Sequence, residues 1–176
     1  MVEGLCLGNL SYADRLAGDL DAARAGLSAA IAMHRELGFL PTQAFWLFNL
    51  AIVHLDAGRL EPARAAAAEA QQAYERCPNL AKSGELLAIR ALMWCRLGAV
   101  ADARAILNEA PGLPSLGGAD ALVAAARALV ALAEGNAAEA ELALAEATAD
   151  PERCGPGTEA GLAVALARGR TSKYPI

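Results

Sequence analysis

Four glycines recur along the chain at the same point of one local pattern. They are Gly18, Gly58, Gly98 and Gly135, at spacings of 40, 40 and 37 residues. A small residue lies seven positions before each glycine, and alanines follow five and twelve positions after it. The small residues are Ser11, Ala51, Ala91 and Ala128, and the alanines are Ala23, Ala63, Ala103, Ala140, Ala30, Ala70, Ala110 and Ala147. This periodicity predicts a repeated pair of helices, with the glycine in the turn and small residues where the two helices touch.

The amino-acid composition favours an all-α fold. Hydrophobic residues make up 56% of the 176 residues, but aromatic residues make up only 5%, and much of the remainder is alanine, the strongest helix former. No segment shows the alternation of apolar and polar residues that is typical of strands. Because alanine side chains are small, we expect close contacts between helices rather than a core of bulky side chains.

The turn signals divide the chain into nine predicted helices. First helices of four repeats are predicted at 3–17, 42–57, 82–97 and 119–134, and second helices at 20–38, 60–76, 100–110 and 137–149. A ninth helix is predicted from about 158 to 168, and Gly169 then falls at the repeated glycine position, 34 residues after Gly135. We expect one domain over residues 1–176, with repeats at roughly 1–40, 41–80, 81–118 and 119–157 and a partial repeat at 158–170.

Charge argues against nucleic-acid binding. The net charge is −5 and the pI is about 5.1. Lys82 and Lys173 are the only lysines, and the arginines are scattered along the chain. A phosphate-binding face needs clustered basic residues, so no direct contact with nucleic acid is expected.

The sequence also predicts the cellular location of the protein. It carries no secretory signal pattern, and its longest apolar run, 119–133, contains Asp120 and Arg127 and is too short to span a bilayer. The four cysteines are Cys6, Cys77, Cys95 and Cys154. They form no Cys-x-x-Cys pair, so we expect a cytoplasmic protein with free thiols and no membrane partner. Cys154, in a loop rich in glycine and proline, is expected to react fastest.

Signals for catalysis are poor. His34 and His54 are the only histidines, and neither has a cysteine or carboxylate at metal-ligand spacing. His54 is interpreted as a core residue, and His34 as a surface residue at a helix C-terminus, where a positive charge is favourable. No serine lies in a Gly-x-Ser-x-Gly motif, and the glycine-rich run 112–118 lacks a phosphate-loop ending. We therefore expect no enzyme activity, no catalytic residue, no cofactor and no metal.

The repeated unit resembles the tetratricopeptide repeat. Its second copy reads Leu47, Leu50, Ala51, His54, Gly58, Ala63, Ala67, Ala70 and Pro78, close to the family pattern of a large residue, Leu-small and an aromatic, then alanines and a proline. The likeness extends over almost the whole chain and is eroded in the fourth copy. It implies a right-handed superhelix of antiparallel helix pairs, an α-solenoid with about four repeats plus one C-terminal helix. It also implies protein–protein interaction, although this fold serves many unrelated functions.

The length of the repeat indicates which members of the family the chain resembles. Repeats of 40 residues with the phrase Ala-Met-His-Arg-Glu-Leu-Gly at 32–38 are similar to the arrays of LuxR-type bacterial regulators and related signalling ATPases. The resemblance implies a regulatory or sensor segment of a larger bacterial signalling or transcription-regulatory protein. An isolated array normally ends in a helix with a polar outer face, but the last helix has no charged residue over 161–167, and the first helix begins in mid-pattern without a cap. We therefore expect either a piece of a longer array or ends that another subunit covers.

The resemblance also implies a peptide-binding groove lined by the first helices. The candidate residues are Asn9, Tyr12, Phe45, Phe48, Asn49, Ile52 and Leu92. In the family an asparagine at the position of Asn9 and Asn49 often bonds to a peptide backbone. The type that clamps a terminal carboxylate needs a basic residue and an amide where this chain has Gly8 and Tyr12, so an amphipathic or apolar peptide is the expected partner.

Two alternatives stay open at this stage. The stripe of Phe45, Phe48 and Ile52 lies on one face of one helix, and it is either groove surface or core. We favour the groove, because Ala88 and Ala125 at the corresponding position of later repeats leave space. The chain is alternatively a self-association module that forms a homodimer through an apolar surface.

Overall fold

The computed structural model describes residues 2–77, 84–109, 119–152, 154 and 158–173. Within these ranges all regular secondary structure is α-helical, which confirms the all-α prediction. The helices are α1 (Val2–Ala17), α2 (Leu20–Glu36), α3 (Leu40–Asp56), α4 (Leu60–Glu75), α5 (Gly84–Arg96), α6 (Val100–Leu107), α7 (Ala119–Ala133), α8 (Ala137–Ala147) and α9 (Glu159–Lys173). Each helix begins within two residues of its predicted start, and α9 ends five residues beyond its predicted end. No helix in the described part of the chain combines the length and apolar character needed to cross a bilayer.

The repeated glycines end their helices with one hydrogen-bond pattern. At the first turn, Gly18 N donates to Arg15 O at 3.0 Å, and Asp19 N donates to Asp14 O at 2.9 Å. This is the Schellman arrangement, which requires a left-handed residue at the glycine position. The same pair of bonds recurs at Gly58, Gly98 and Gly135, and φ at these four glycines lies between +69° and +87°. Gly38, near the boundary between the first and second repeats, makes the same turn.

The small-residue pattern marks where the helices meet. Ala110 lies outside the described residues; the other pattern positions are Ser11, Ala23, Ala30, Ala51, Ala63, Ala70, Ala91, Ala103, Ala128, Ala140 and Ala147. None of these side chains is more than 1% exposed. The alanine five residues after each glycine also donates the first backbone bond of the second helix, as Ala63 N does to Arg59 O. The spacing thus fixes both the turn and the contact.

Overpacking this contact should destabilise the fold. Ala63 is fully buried on α4, so in Ala63→Leu the added methylenes must displace neighbouring side chains. We expect the free energy of unfolding to fall by roughly 1–3 kcal/mol, measured by urea denaturation. Ala65→Leu, on the exposed face of the same helix, is the control and should unfold like the parent. Equal losses in the two variants would contradict the assigned contact.

The chain divides into two compact units, residues 1–81 and 82–176. The division falls at the predicted boundary between the second and third repeats. In the first unit α1 packs on α2, α2 on α3 and α3 on α4. In the second unit α7 packs against α5, α6, α8 and α9. Buried alanines such as Ala124, Ala125 and Ala128 let neighbouring helices approach α7 closely. The single domain over 1–176 stays a prediction.

One expectation about the repeat is wrong. Gly169 has the spacing of a turn glycine, but it lies inside α9, which continues to Lys173. A glycine is tolerated within a helix at a cost of about 1 kcal/mol relative to alanine. Spacing alone therefore does not make a turn. Pro78 and the glycine-rich run 112–118 lie outside the described residues.

Candidate functional site

Six of the seven predicted groove residues lie in the first unit. Asn9 and Tyr12 are on α1, and Phe45, Phe48, Asn49 and Ile52 are on α3. Leu92 is on α5, in the second unit, where its side chain is buried. Asn9 is exposed, whereas Tyr12 and Phe45 are half-buried. The three remaining residues are buried, so most of the predicted apolar surface is not accessible.

The stripe centred on Phe48 is core in this structure. Phe48 is 0% exposed, and Ile52 is also buried. The Phe48 ring meets the ring of Tyr74 on α4 edge to face, with centroids 6.4 Å apart. Our preference for an open groove at these positions is therefore corrected. The space inferred from Ala88 and Ala125 does not expose Phe48, because α3 buries residues on nearly every side.

Asn49 is also committed to the protein interior. Its Nδ2 donates to the Phe45 backbone oxygen, one helical turn earlier, at 2.9 Å, and its side chain is buried. Because it is buried and bonded within its own helix, this amide is not accessible to a bound peptide. Of the two asparagines at the same repeat position, only Asn9 lies on the surface.

The two histidines differ from their predicted settings. His34 is buried rather than at the surface, and its Nδ1 donates to Ala30 O at 2.7 Å. It fits beneath α1 because residue 4 is glycine: a Cβ there would lie 2.6 Å from His34 Cε1. His54, predicted to be core, is half-buried; burial lowers its pKa, and the positive charges of Arg59 and Arg24 lower it further. Among the described residues there is no cluster of three or more His, Cys, Asp or Glu side chains that could hold a metal ion.

A cleft of about 460 Å³ lies within the first unit. We name it the α2–α4 cleft, because it is bounded by the end of α2, the start of α3 and the second half of α4. Leu40 and Ala73 give it an apolar part. Its polar side chains are Arg35, Gln43, Glu69, Gln72 and Arg76. A concave site that combines an apolar part with several polar side chains is a candidate binding site.

The polar groups of the cleft are only partly used by the protein. Arg35 Nη2 bonds to Glu69 Oε1, and both side chains are about half exposed. Gln43 is only 7% exposed, yet among the described residues none forms a hydrogen bond with its side-chain amide. Burying a polar group without a partner is costly. The amide is not sealed from solvent, and Gln43 is one of the residues that line the cleft.

No protein-family model matches this chain, and no curated protein and no solved structure shows significant similarity to it. The interpretation of the site therefore depends on its own geometry.

The α2–α4 cleft was not predicted from the sequence. A signal was present: Arg35 and Arg76 lie at the ends of two successive second helices, at nearly the same distance from their turn glycines. Cations at helix C-termini are common for dipole reasons alone, so that signal has low specificity. No sequence signal pointed to Gln43, because its burial depends on the way three separate elements meet.

The reactivity order predicted for the thiols also needs correction. The four cysteines are free, as predicted, but Cys6 is exposed whereas Cys154 is half-buried. Burial raises the pKa of the Cys154 thiol, partly offset by the positive charge of Arg168. A raised pKa leaves less thiolate near neutral pH, and the thiolate is the reacting species. Cys154 is therefore not expected to react fastest.

We expect Cys6 to react with Ellman's reagent faster than Cys154 at pH 7.5. The measurement is the labelling rate in two variants, Cys6→Ser and Cys154→Ser. Loss of the fastest phase should accompany Cys6→Ser alone. If the fastest phase instead disappears in Cys154→Ser, the sequence-based prediction that Cys154 reacts fastest would be correct.

Proposed function

We propose that this chain is a non-catalytic helical-repeat domain that binds a protein or a peptide. The observation that carries the proposal is the α2–α4 cleft, where three successive helices bring together hydrogen-bonding groups that the fold leaves partly unused. An amide such as Gln43 offers both a donor and an acceptor, which suits the backbone of a peptide. Asn9, Tyr12 and Phe45, which retain exposure near the surface of α1 and α3, are candidates for further contacts.

The finer assignment rests on the sequence resemblance. The identical glycine turns and buried alanine contacts are consistent with tetratricopeptide-type repeats stacked into a right-handed α-solenoid. We propose that the chain is a cytoplasmic regulatory or sensor segment of a bacterial signalling or transcription-regulatory protein. The partner originally expected, an amphipathic or apolar peptide, would now contact the cleft through Leu40 and Ala73 rather than through Phe48.

Selection of peptides tests this proposal. Peptides are selected from a random display library on the immobilised full chain, and the best is titrated by fluorescence anisotropy. We expect Gln72→Ala, in the cleft, to weaken binding at least fivefold. Gln71→Ala is the matched control: Gln71 is the preceding residue of α4, is bonded to Glu75 and lies outside the cleft, so this variant should bind like the parent. Failure to select any peptide, or equal effects of both variants, would reject the cleft as the binding site.

Self-association is the second candidate function. The side of α1 opposite its buried face exposes Val2 and Leu10, the most and third most exposed of the large apolar side chains described, together with Cys6. Exposed apolar faces of this kind are found at protein interfaces. In a dimer formed through α1, light scattering should show a mass that rises with concentration, and Cys6 labelling should slow in parallel. A constant monomer mass would exclude the dimer.

A further inference from the structure

The α2–α4 cleft already holds one carboxylate on a guanidinium. Glu69 on α4 pairs with Arg35 in the last turn of α2, and both side chains are about half exposed to solvent. An exposed ion pair contributes little to stability, because solvent and salt screen it and two long side chains must be ordered. A carboxylate from a ligand can therefore compete with Glu69 for Arg35 at small cost to the fold.

The cleft also contains a second guanidinium. Arg76 is the C-cap residue of α4, its side chain is exposed, and no carboxylate among the described residues forms an ion pair with it. Arg35 and Arg76 against Glu69 leave a surplus of one positive charge in the lining. This surplus lies in a chain whose net charge is −5. The local charge favours a carboxylate, while the overall charge disfavours a highly acidic partner.

The unbonded amide of Gln43 distinguishes a peptide from a bare anion. It lies in the wall of the same cleft, nine-tenths buried and without a partner among the described residues. A peptide group beside the ligand's carboxylate supplies the donor and the acceptor that this amide lacks. A simple carboxylate such as acetate supplies only an acceptor.

We propose that the α2–α4 cleft binds a peptide through one acidic side chain, whose carboxylate displaces Glu69 from Arg35 and also contacts Arg76. This inference rests on the proposed function and names the class of peptide. Glu69 then acts as an internal competitor that weakens binding. The chemistry is non-covalent: one charge-assisted hydrogen bond breaks and others form in its place.

The test uses small blocked peptides and the full chain. The probes are acetylated, amidated Ala-Glu-Ala, the same peptide with Gln or Lys in place of Glu, and sodium acetate at equal ionic strength. Binding is followed in ¹H–¹⁵N spectra through the Nε–H signals of Arg35 and Arg76 and the side-chain NH₂ signals of Gln43 and Gln72. We expect saturable shifts of these signals with the Glu peptide, and much smaller shifts with the other three probes.

Three variants test the roles of the charges. Glu69→Gln should tighten binding of the Glu peptide about two- to fivefold, the size expected for removing an exposed competing ion pair. Arg76→Gln should weaken it about fivefold or more. Arg64→Gln, on the same helix but outside the cleft, should leave it unchanged. Thermal melts of all three variants should agree with the parent within a few degrees. A change in affinity without a change in melting temperature then comes from the altered charge and not from a disturbed fold.

The outcomes separate this inference from the proposed function. Equal binding of the Glu and Gln peptides at the cleft would overturn the acidic preference and leave peptide binding standing. Acetate shifting the same signals as strongly as the Glu peptide would assign the site to small carboxylates instead. Weaker binding by Glu69→Gln would overturn the competitor role. Absence of cleft shifts, both with these probes and with a peptide selected from the library, would overturn both proposals.

Discussion

Replacing Phe48 by alanine is expected to lower the free energy of unfolding by about 3–5 kcal/mol, the range for losing a buried aromatic side chain and leaving a cavity. Phe48 is fully buried on α3 and meets Tyr74 of α4 edge to face. The buried residues of α4 are alanines, such as Ala67 and Ala70, so this helix has little side-chain volume with which to fill the space. We do not expect Phe48→Ala to weaken binding of a partner while leaving the stability of the fold unchanged.

The measurement can be made specific for the first unit. The chain has two tryptophans: Trp46 in the first unit and Trp94 in the second. In a Trp94→Phe background, fluorescence during urea denaturation therefore reports on the environment of α3. Phe39→Ala is the matched control, because Phe39 is 43% exposed in the turn before α3, and its loss should be well below that of Phe48. A Phe48→Ala variant that unfolds like its parent would reject the buried assignment and reopen the groove hypothesis.

The turn and contact positions could be predicted because they are local. A glycine with a left-handed φ ends a helix through bonds to residues three and five positions earlier, and a repeated spacing carries that information in the sequence itself. The alanine positions follow from the same spacing, since a second helix that starts at a fixed point presents a fixed face. Hence Ala63 and Ala103 could be assigned to helix contacts without a structure.

The candidate site could not be predicted in the same way. Repeat phase placed Phe48 on one face of a helix, but whether that face is covered depends on how α3 is packed within the fold. His34 was assigned to the surface because of its position near a helix end, yet Gly4, thirty residues earlier in the chain, creates the space that buries it. The α2–α4 cleft likewise depends on three elements meeting. Each failure concerns contacts between residues distant in sequence.

An ion pair joins the ends of α1 and α3, and its disruption should have the second large effect on the free energy of unfolding. Arg15 Nε donates to Asp56 Oδ2 at 2.7 Å, with side chains 2% and 17% exposed. A guanidinium so deeply buried has lost its hydration, and the carboxylate offsets that loss. Removing the carboxylate takes a counter-charge away from a buried guanidinium, which is far more costly than losing an exposed pair. The pairs of Asp21 with Arg24 and Arg59, at 3.6 Å and largely exposed, provide the comparison.

We expect Asp56→Ala to reduce the free energy of unfolding by about 3 kcal/mol, and Asp21→Ala by no more than about 0.5 kcal/mol. The double variant Arg15→Met/Asp56→Leu removes both charges and keeps most of the volume, so it should lie within about 1 kcal/mol of the parent. Urea denaturation of the four proteins in the Trp94→Phe background, followed by Trp46 fluorescence, measures these differences. If the double variant loses as much as Asp56→Ala, the cost lies in packing rather than in the loss of the negative charge beside Arg15. The electrostatic explanation of this link would then be wrong.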